Sequence, residues 1–136
     1  MIVYSHEYST EYYCLTELRE DSAPVVEIGV RHVQRVNPEI IITALVDCGA
    51  DASMIPVNVL RAAGAKRLGK RQVRGISGFA YSAEIYLATI RLGRHLIRGM
   101  QVIAVKSDKE PIVGRDVLNN LVVTLNGLAS VTEVEG

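Results

Sequence analysis

The residues best suited to chemistry lie in the segment Asp47-Cys48-Gly49-Ala50-Asp51, which directly follows an apolar run. That run, Ile40 to Val46, is rich in β-branched residues and predicts a buried strand. Asp47 would then lie where the strand ends and the chain turns at a glycine. A carboxylate in this position is a candidate general acid or base. Asp and Gly are also the commonest residues of ordinary β-turns, so the segment alone does not decide between the two interpretations.

Two further segments favour the chemical interpretation. Near the C-terminus, the apolar pair Ile112-Val113 ends in Gly114-Arg115-Asp116, and a short helical stretch follows. Between this segment and Asp47 lies Val73-Arg74-Gly75-Ile76-Ser77-Gly78-Phe79-Ala80, in which two glycines bracket an apolar and a polar residue. Glycines at these positions are typical of the tip of a β-hairpin.

In this order, the three segments resemble the retroviral-type aspartic proteases (retropepsins) and their bacterial relatives. That family has an apolar strand followed by Asp-Thr/Ser-Gly-Ala, and later an apolar pair followed by Gly-Arg-Asp/Asn. The resemblance extends from about Val25 to Leu128. It implies an all-β fold, a small closed retropepsin-like β-barrel with one short C-terminal helix and one lobe per chain.

The resemblance also implies roles for individual residues. Asp47 would be the catalytic residue. The active-site loop would be supported by Cys48, Gly49, Ala50 and Asp51, and the structure beneath it by Gly114 and Arg115. The flap, the hairpin tip that closes over the substrate, would consist of Gly75, Ile76, Ser77, Gly78 and Phe79. Asp116 matches a support position and does not supply a second catalytic carboxylate.

The mechanism of this family needs two facing carboxylates, whereas the chain has one Asp-x-Gly-Ala motif. A symmetric homodimer, in which each subunit contributes one Asp47, is the simplest solution. Two carboxylates about 3 Å apart share one proton, so one acts as a base and the other as an acid. The expected function is therefore hydrolysis of a polypeptide substrate by an activated water, with no metal and no cofactor. In this family the terminal strand pairs across the subunit boundary.

Cys48 departs from the family pattern, which has Thr or Ser at this position. A thiol is a weaker hydrogen-bonding group than a hydroxyl, so the two loops of a dimer would be less firmly held. The alternative function is therefore a catalytically weak or inactive retropepsin-like dimer that acts as a peptide- or protein-binding module. A cysteine nucleophile paired with His6, His32 or His95 is a further enzyme class, but nothing near these residues favours it.

The composition of the chain limits the remaining classes of function. The chain has 136 residues, the length of one domain, with 49% apolar and 22% charged residues. Its 15 basic and 15 acidic residues cancel, so no partner such as nucleic acid or an anionic membrane is expected. The basic cluster from Lys66 to Arg74 predicts a solvated loop leading into the flap. With no apolar leader after Met1 and no spacing for disulfides or metal, the expected location is the cytoplasm.

Local patterns predict the order of the elements. Residues 1–22, rich in tyrosine, are interpreted as an N-terminal extension, and residues 23–136 as the protease domain. Alternating apolar residues predict strands at Val25–Arg31, Tyr81–Leu92 and Arg98–Val105, and a last strand over Leu121–Leu128 ends at an Asn-Gly turn. Pro56 to Gly64 predicts a short helix closed by glycine.

Overall fold

The computed structural model describes residues 2–9, 22–75 and 77–136. Its strands are β1 (Val3–Glu7), β2 (Val25–Arg31), β3 (Ile40–Val46), β4 (Met54–Pro56), β5 (Lys66–Arg74), β6 (Ala80–Leu92), β7 (His95–Val105), β8 (Ile112–Val113), β9 (Val123–Asn126) and β10 (Val131–Glu135). Two short helices, α1 (Val57–Ala62) and α2 (Arg115–Leu118), follow β4 and β8. The expected β-rich fold with a short C-terminal helix is confirmed. Within the described ranges, no helix is long and apolar enough to cross a membrane.

The larger sheet closes into a barrel. Its strands lie in the order β2-β3-β8-β4-β7-β6-β5, and β2 also pairs with β6 from Gly29↔Arg91 to Arg31↔Thr89. The ring from β2 round to β6 is therefore complete, and β5 extends from β6 outside the ring. The predicted closed β-barrel is confirmed.

The barrel core follows from the sequence pattern of its strands. In β2, the side chains of Val26, Ile28 and Val30 alternate inward and are at most 1% exposed. They pack in one cluster with Leu60 of α1 and Leu92 of β6. Burial of such a continuous apolar layer is the main stabilising contribution in a domain of this size.

A second, smaller sheet joins the two ends of the chain. β10 lies in its centre and pairs with β1 on one side and β9 on the other, so we call β1, β10 and β9 the terminal sheet. Val134 of β10 is fully buried, and Tyr4 of β1 packs against the same core cluster. Residues 3–7 of the interpreted N-terminal extension are thus paired with the C-terminus. Tyr12 and Tyr13 lie outside the described residues, and the domain boundary after residue 22 stays a prediction.

The basic cluster is a strand and not the expected loop. Lys66 to Arg74 forms β5, which pairs with β6 from Lys66↔Leu87 to Arg74↔Ala80. Most of its side chains are exposed, as the charge pattern indicated, because β5 is an edge strand with neighbours on one side only. The charges therefore keep the side chains of β5 exposed to solvent. Backbone pairing with β6 gives the segment its extended conformation.

Glu39 links the strands at the point where the barrel closes. Its carboxylate accepts hydrogen bonds from Arg31 of β2 and from Arg91 of β6, the latter at 2.8 Å between Arg91 Nη2 and Glu39 Oε1. A Cβ added at Gly29 would lie 2.5 Å from the Glu39 carboxyl carbon, so a side chain at this position would displace the Glu39 carboxylate. The hydrogen bond from Arg91 is the largest contribution that lowers the pKa of Glu39.

Glu39→Gln should lower the free energy of unfolding by about 1–3 kcal/mol near neutral pH, because two partly buried guanidinium groups lose their charged partner. The Glu39 pKa is lowered on folding from 4.5, so its contribution is present above that value and is lost as the pH falls below it. The difference between the two proteins should therefore shrink in acid.

Urea unfolding of both proteins at about pH 7 and about pH 3.5 measures this effect. Glu7→Gln, an exposed change on β1, is the matched control. Equal stability of the Glu39→Gln and parent proteins at neutral pH would contradict the assignment.

Candidate active site

Asp47 lies at the end of β3, beside the second motif. β3 pairs in parallel with β8, through Leu45↔Ile112 and Val46↔Val113, and Asp47 N donates to Val113 O at 3.0 Å. The structure therefore brings Asp47 and Gly114 into adjacent chain segments, as the resemblance implied. Two segments that are distant in the sequence form one site because their strands are neighbours.

The turn after β3 holds the Asp47 carboxylate. Gly49 N donates to Asp47 Oδ1 at 2.9 Å, and Ala50 N donates to Asp47 O at 3.2 Å. A Cβ added at Gly49 would lie 3.2 Å from Asp47 Oδ1, closer than most real Cβ contacts. Asp47 is partly buried, whereas Cys48 is exposed. The carboxylate is thus oriented by the backbone and remains accessible at the surface of a single subunit.

Arg115 connects this turn to α2. Its backbone N donates to Ala50 O at 2.8 Å, and its Nη1 donates to Cys48 O at 2.8 Å. The guanidinium also forms an ion pair with Asp51. The predicted pairing of Asp51 with Arg115 is therefore present in the structure. Because both side chains are substantially exposed, the pair mainly restricts the loop geometry and adds little to stability.

A buried polar cluster lies beneath the loop. Gly114 N donates to Ser53 Oγ at 3.0 Å, and Ser53 Oγ donates to Asp116 Oδ1 at 2.7 Å. The second oxygen, Asp116 Oδ2, accepts from Ser53 N at 2.8 Å. Both oxygens of the Asp116 carboxylate are thus engaged with Ser53, which suits a supporting residue.

Gly114 is fully enclosed at this point. An added Cβ would lie 2.9 Å from Ala50 O and 2.9 Å from the Ala52 carbonyl carbon, both backbone atoms. Sequence reasoning identified Gly114 and placed Asp116 in a supporting role, but it missed Ser53. Ser53 is 1% exposed, and no local sequence pattern indicates this burial.

The predicted flap is the tip of the β5–β6 hairpin. Gly75 N donates to Phe79 O at 3.3 Å, Gly78 N donates to Gly75 O at 3.0 Å, and Arg74 Nη1 donates to Gly78 O at 2.8 Å. Gly78 has a positive φ of 82°, which favours glycine. The Phe79 side chain is 79% exposed. Ser77 lies in the same turn, and Ile76 lies outside the described residues.

A groove lies between the first residues of β6, which follow the hairpin tip, and the segment before β8. It has a volume of about 810 Å³. Its apolar floor includes Met54, Ala83 and Ile112, and charged residues from Lys106 to Glu110 form its rim. Ile112 is opposite Leu45 in the β3–β8 pair, so the groove borders the strand that ends at Asp47.

None of the three histidines is hydrogen-bonded to Cys48, and each has another hydrogen-bond partner. His6 Nδ1 accepts from Glu27 N at 3.2 Å, and His32 Nδ1 accepts from Gln34 N at 3.0 Å. His95 Nε2 lies 2.7 Å from Glu135 O. Burial is the main reason that the pKa of His6 is lowered. No His, Cys, Asp and Glu side chains in the described ranges form a group of three that could hold a metal.

Comparison with known proteins identifies the family and the fold of the chain. The family model described as gag-polyprotein putative aspartyl protease matches residues 33–120, which is well over half of the chain. The chain therefore belongs to this aspartyl protease family. Its fold is similar to that of the EIAV protease complexed with the inhibitor HBY-793, with a TM-score of 0.53 and 21% sequence identity over 79% of this chain and 93% of the other. No curated protein has a significantly similar sequence. The retropepsin-like fold is thus confirmed.

Ser53→Ala should lower the free energy of unfolding by about 1–3 kcal/mol, because the buried Gly114 N–H loses its acceptor. Urea unfolding measures the change, and Ser82→Ala, an exposed change on β6, is the matched control. If Ser53→Ala were no more destabilising than Ser82→Ala, the hydroxyl would not support the loop.

Proposed function

We propose that this chain is an aspartic endopeptidase that acts as a homodimer, in which the Asp47 carboxylates of two subunits activate one water molecule. The observation that carries the proposal is the position of Asp47. Its carboxylate accepts a hydrogen bond from Gly49 N–H at the end of a barrel strand. The backbone of the same loop is bonded to the second family motif, through Asp47 N to Val113 O and through Ala50 O to Arg115 N. Membership of the aspartyl protease family supports the same reaction.

The proposed mechanism follows from two carboxylates that share one proton. The ionised Asp47 takes a proton from the bound water as the water oxygen attacks the scissile carbonyl carbon. The protonated Asp47 of the second subunit donates a hydrogen bond to the carbonyl oxygen and stabilises the developing charge. Breakdown of the tetrahedral intermediate then breaks the C–N bond, and a proton is transferred to the leaving amine.

The proposed substrate is an extended polypeptide that lies between the active-site loop and the flap. Gly75 to Phe79 would cover it and exclude water, and backbone hydrogen bonds would align it as an added strand. The apolar floor formed by Met54, Ala83 and Ile112 suits an aliphatic or aromatic substrate side chain. The charged rim from Lys106 to Glu110 would contact residues further from the scissile bond.

Asp47→Asn should reduce peptide cleavage by at least about 10²-fold to 10⁴-fold, because the amide cannot act as a general base. Casein digestion between about pH 3.5 and about pH 7.5, under reducing conditions, measures the activity. The rate should rise more steeply than linearly with protein concentration at low concentration.

Glu7→Gln is the matched control and should retain the parent activity. If Asp47→Asn and the parent protein cleaved casein equally, or if both were inactive at all concentrations, the endopeptidase proposal would be wrong.

The exposed thiol of Cys48 favours a second candidate function, a weakly active dimer that binds peptides. Cys48→Thr restores the hydroxyl that is typical of the family and should tighten the dimer by about 1–3 kcal/mol, so that activity appears at a lower protein concentration. Casein cleavage as a function of concentration measures this shift, with Cys48→Ala as the control. Peptide binding that persists in Asp47→Asn, with no cleavage by Cys48→Thr, would favour the binding function.

A further inference from the structure

The side of β5 that faces away from β6, which we call the β5 edge, has no partner strand in the described part of the chain. We propose that the β5 edge binds an extended polypeptide segment rich in Asp and Glu, which pairs with β5 as an added strand. The inference rests on the proposed function and deepens it, because it names the substrate class. The substrates are polypeptides in which an acidic segment flanks the sequence that is cleaved.

Positive charge is concentrated around this edge. Residues 52–83 contain six Lys and Arg residues and no Asp or Glu, although the charges of the whole chain cancel. Five of the six lie in β5 and are exposed, namely Lys66, Arg67, Lys70, Arg71 and Arg74. A surface that carries charges of one sign attracts a partner of the opposite sign and disfavours other partners.

Most of these charges are not neutralised by ion pairs within the described ranges. Arg67 forms an exposed ion pair with Glu84, with 3.1 Å between Arg67 Nε and Glu84 Oε1. Among the residues that the structure describes, Lys66, Lys70 and Arg71 have no ion-pair partner. Their charged groups can therefore interact with the carboxylates of a bound segment.

The backbone of β5 offers hydrogen-bonding groups along the same edge. Gly75 N donates to Phe79 O at 3.3 Å, so residue 75 is bonded toward β6. By the alternation of antiparallel ladders, the residues that direct their N–H and C=O groups outward are Lys70, Gln72 and Arg74. These groups have the spacing that an added strand requires, and two of the three residues are basic.

A polypeptide fits this edge better than a nucleic acid does. β5 contains no aromatic residue on which a base could stack. A nucleic acid also cannot form a strand ladder with outward N–H and C=O groups, whereas an extended peptide pairs with them directly. A second copy of β5 is disfavoured by the repulsion between like charges. Charge and backbone geometry together indicate an acidic peptide.

The β5 edge adjoins the groove that is proposed to hold the substrate. Val73 of β5 and Met54 both pack against a small apolar cluster that contains Ala83, and Met54 and Ala83 belong to the groove floor. Neighbouring strands lie about 4.8 Å apart, so β5 is one strand spacing from the β6 residues that line the groove. A polypeptide whose cleaved sequence lies in the groove reaches the β5 edge with its flanking residues.

The groove itself carries charges of both signs. The charged residues that line it are Glu84, Lys106, Asp108, Lys109 and Glu110. Such a mixture gives no consistent attraction for an acidic chain. The preference for Asp and Glu therefore belongs to β5 and acts on the flanking segment of the substrate.

The charge preference can be measured apart from cleavage in the Asp47→Asn protein. The probe is a fluorescent peptide of alternating Glu and Thr residues, and the control peptide has Gln in place of Glu. At about 50 mM salt, anisotropy should show at least about tenfold tighter binding of the acidic peptide. This advantage should decrease at about 500 mM salt, because ions screen exposed charges. Equal affinity of the two peptides would overturn the proposal.

Lys70→Gln/Arg71→Gln locates the binding surface. The matched control is Arg94→Gln/Arg98→Gln, which also removes two exposed charges but lies in the β6–β7 hairpin, at the other end of β6 from the flap. The first variant should bind the acidic peptide about threefold to tenfold more weakly, and the control should bind it like the parent. If the two variants bound it equally well, the β5 edge would not be the site.

Gln72→Pro tests the strand pairing independently of charge. Because the Gln72 N–H faces outward, proline removes a donor to the added strand and leaves the ladder with β6 in place. The variant should bind the acidic peptide more weakly, and unchanged affinity would contradict pairing as a strand. Tighter binding of oligothymidine than of the peptide would assign the edge to nucleic acid and overturn the proposal. The charge variant, which changes only exposed side chains, applies even if Gln72→Pro does not fold.

The two proposals fail in distinguishable ways. Binding of the acidic peptide at β5, in a protein that cleaves no casein, would overturn the endopeptidase function and leave the docking surface. Asp47-dependent cleavage with no preference for acidic peptides would overturn only the docking surface.

Discussion

The parallel pairing of β3 with β8 is the interaction on which the site depends. Two residue pairs, Leu45↔Ile112 and Val46↔Val113, bring together motifs that are far apart in the sequence. Without them, Asp47 would be a turn residue with no fixed relation to Gly114 or Arg115. The absence of a side chain at Gly114 permits the approach, since an added Cβ would lie 2.9 Å from backbone atoms of the opposite loop.

Buried polar groups then make this arrangement specific. Ser53 Oγ accepts from the Gly114 N–H, and Ser53 donates from its N–H and its hydroxyl to the Asp116 carboxylate, 63 residues away in the sequence. An unpaired polar group in such a place is costly, so the network has one favourable arrangement. Glu39 acts similarly at the closure of the barrel, where its carboxylate is shared by Arg31 and Arg91. Both clusters lie outside the residues proposed to touch substrate, and both hold strands whose relative position determines the site.

One chain contains half of the proposed catalytic pair. In the described part of the chain, β1, β5 and β9 are edge strands, and β5 and β9 differ in charge. The edge of β5 is basic, and charges of one sign oppose pairing with a second copy of the strand. The edge of β9 is apolar and uncharged. Both strands thus have unpaired backbone groups along one edge, and they differ in the charges of their side chains.

The amino-acid sequence by itself determined the local elements and the family. The bounds of Val25–Arg31 and Ile40–Val46 were predicted correctly, because buried strands follow directly from alternating or continuous apolar residues. The Asp47 and Gly114-Arg115 motifs were recognisable from residue types alone. The sequence did not indicate that Lys66–Arg74 would be a strand, since its charges are typical of a loop and only pairing with β6 orders it. Nor could it identify Ser53 or Glu39 as structural residues, or show that β10 is enclosed by β1 and β9. These properties depend on contacts between residues far apart in the chain, and only the tertiary structure decides which distant backbone and polar groups become neighbours.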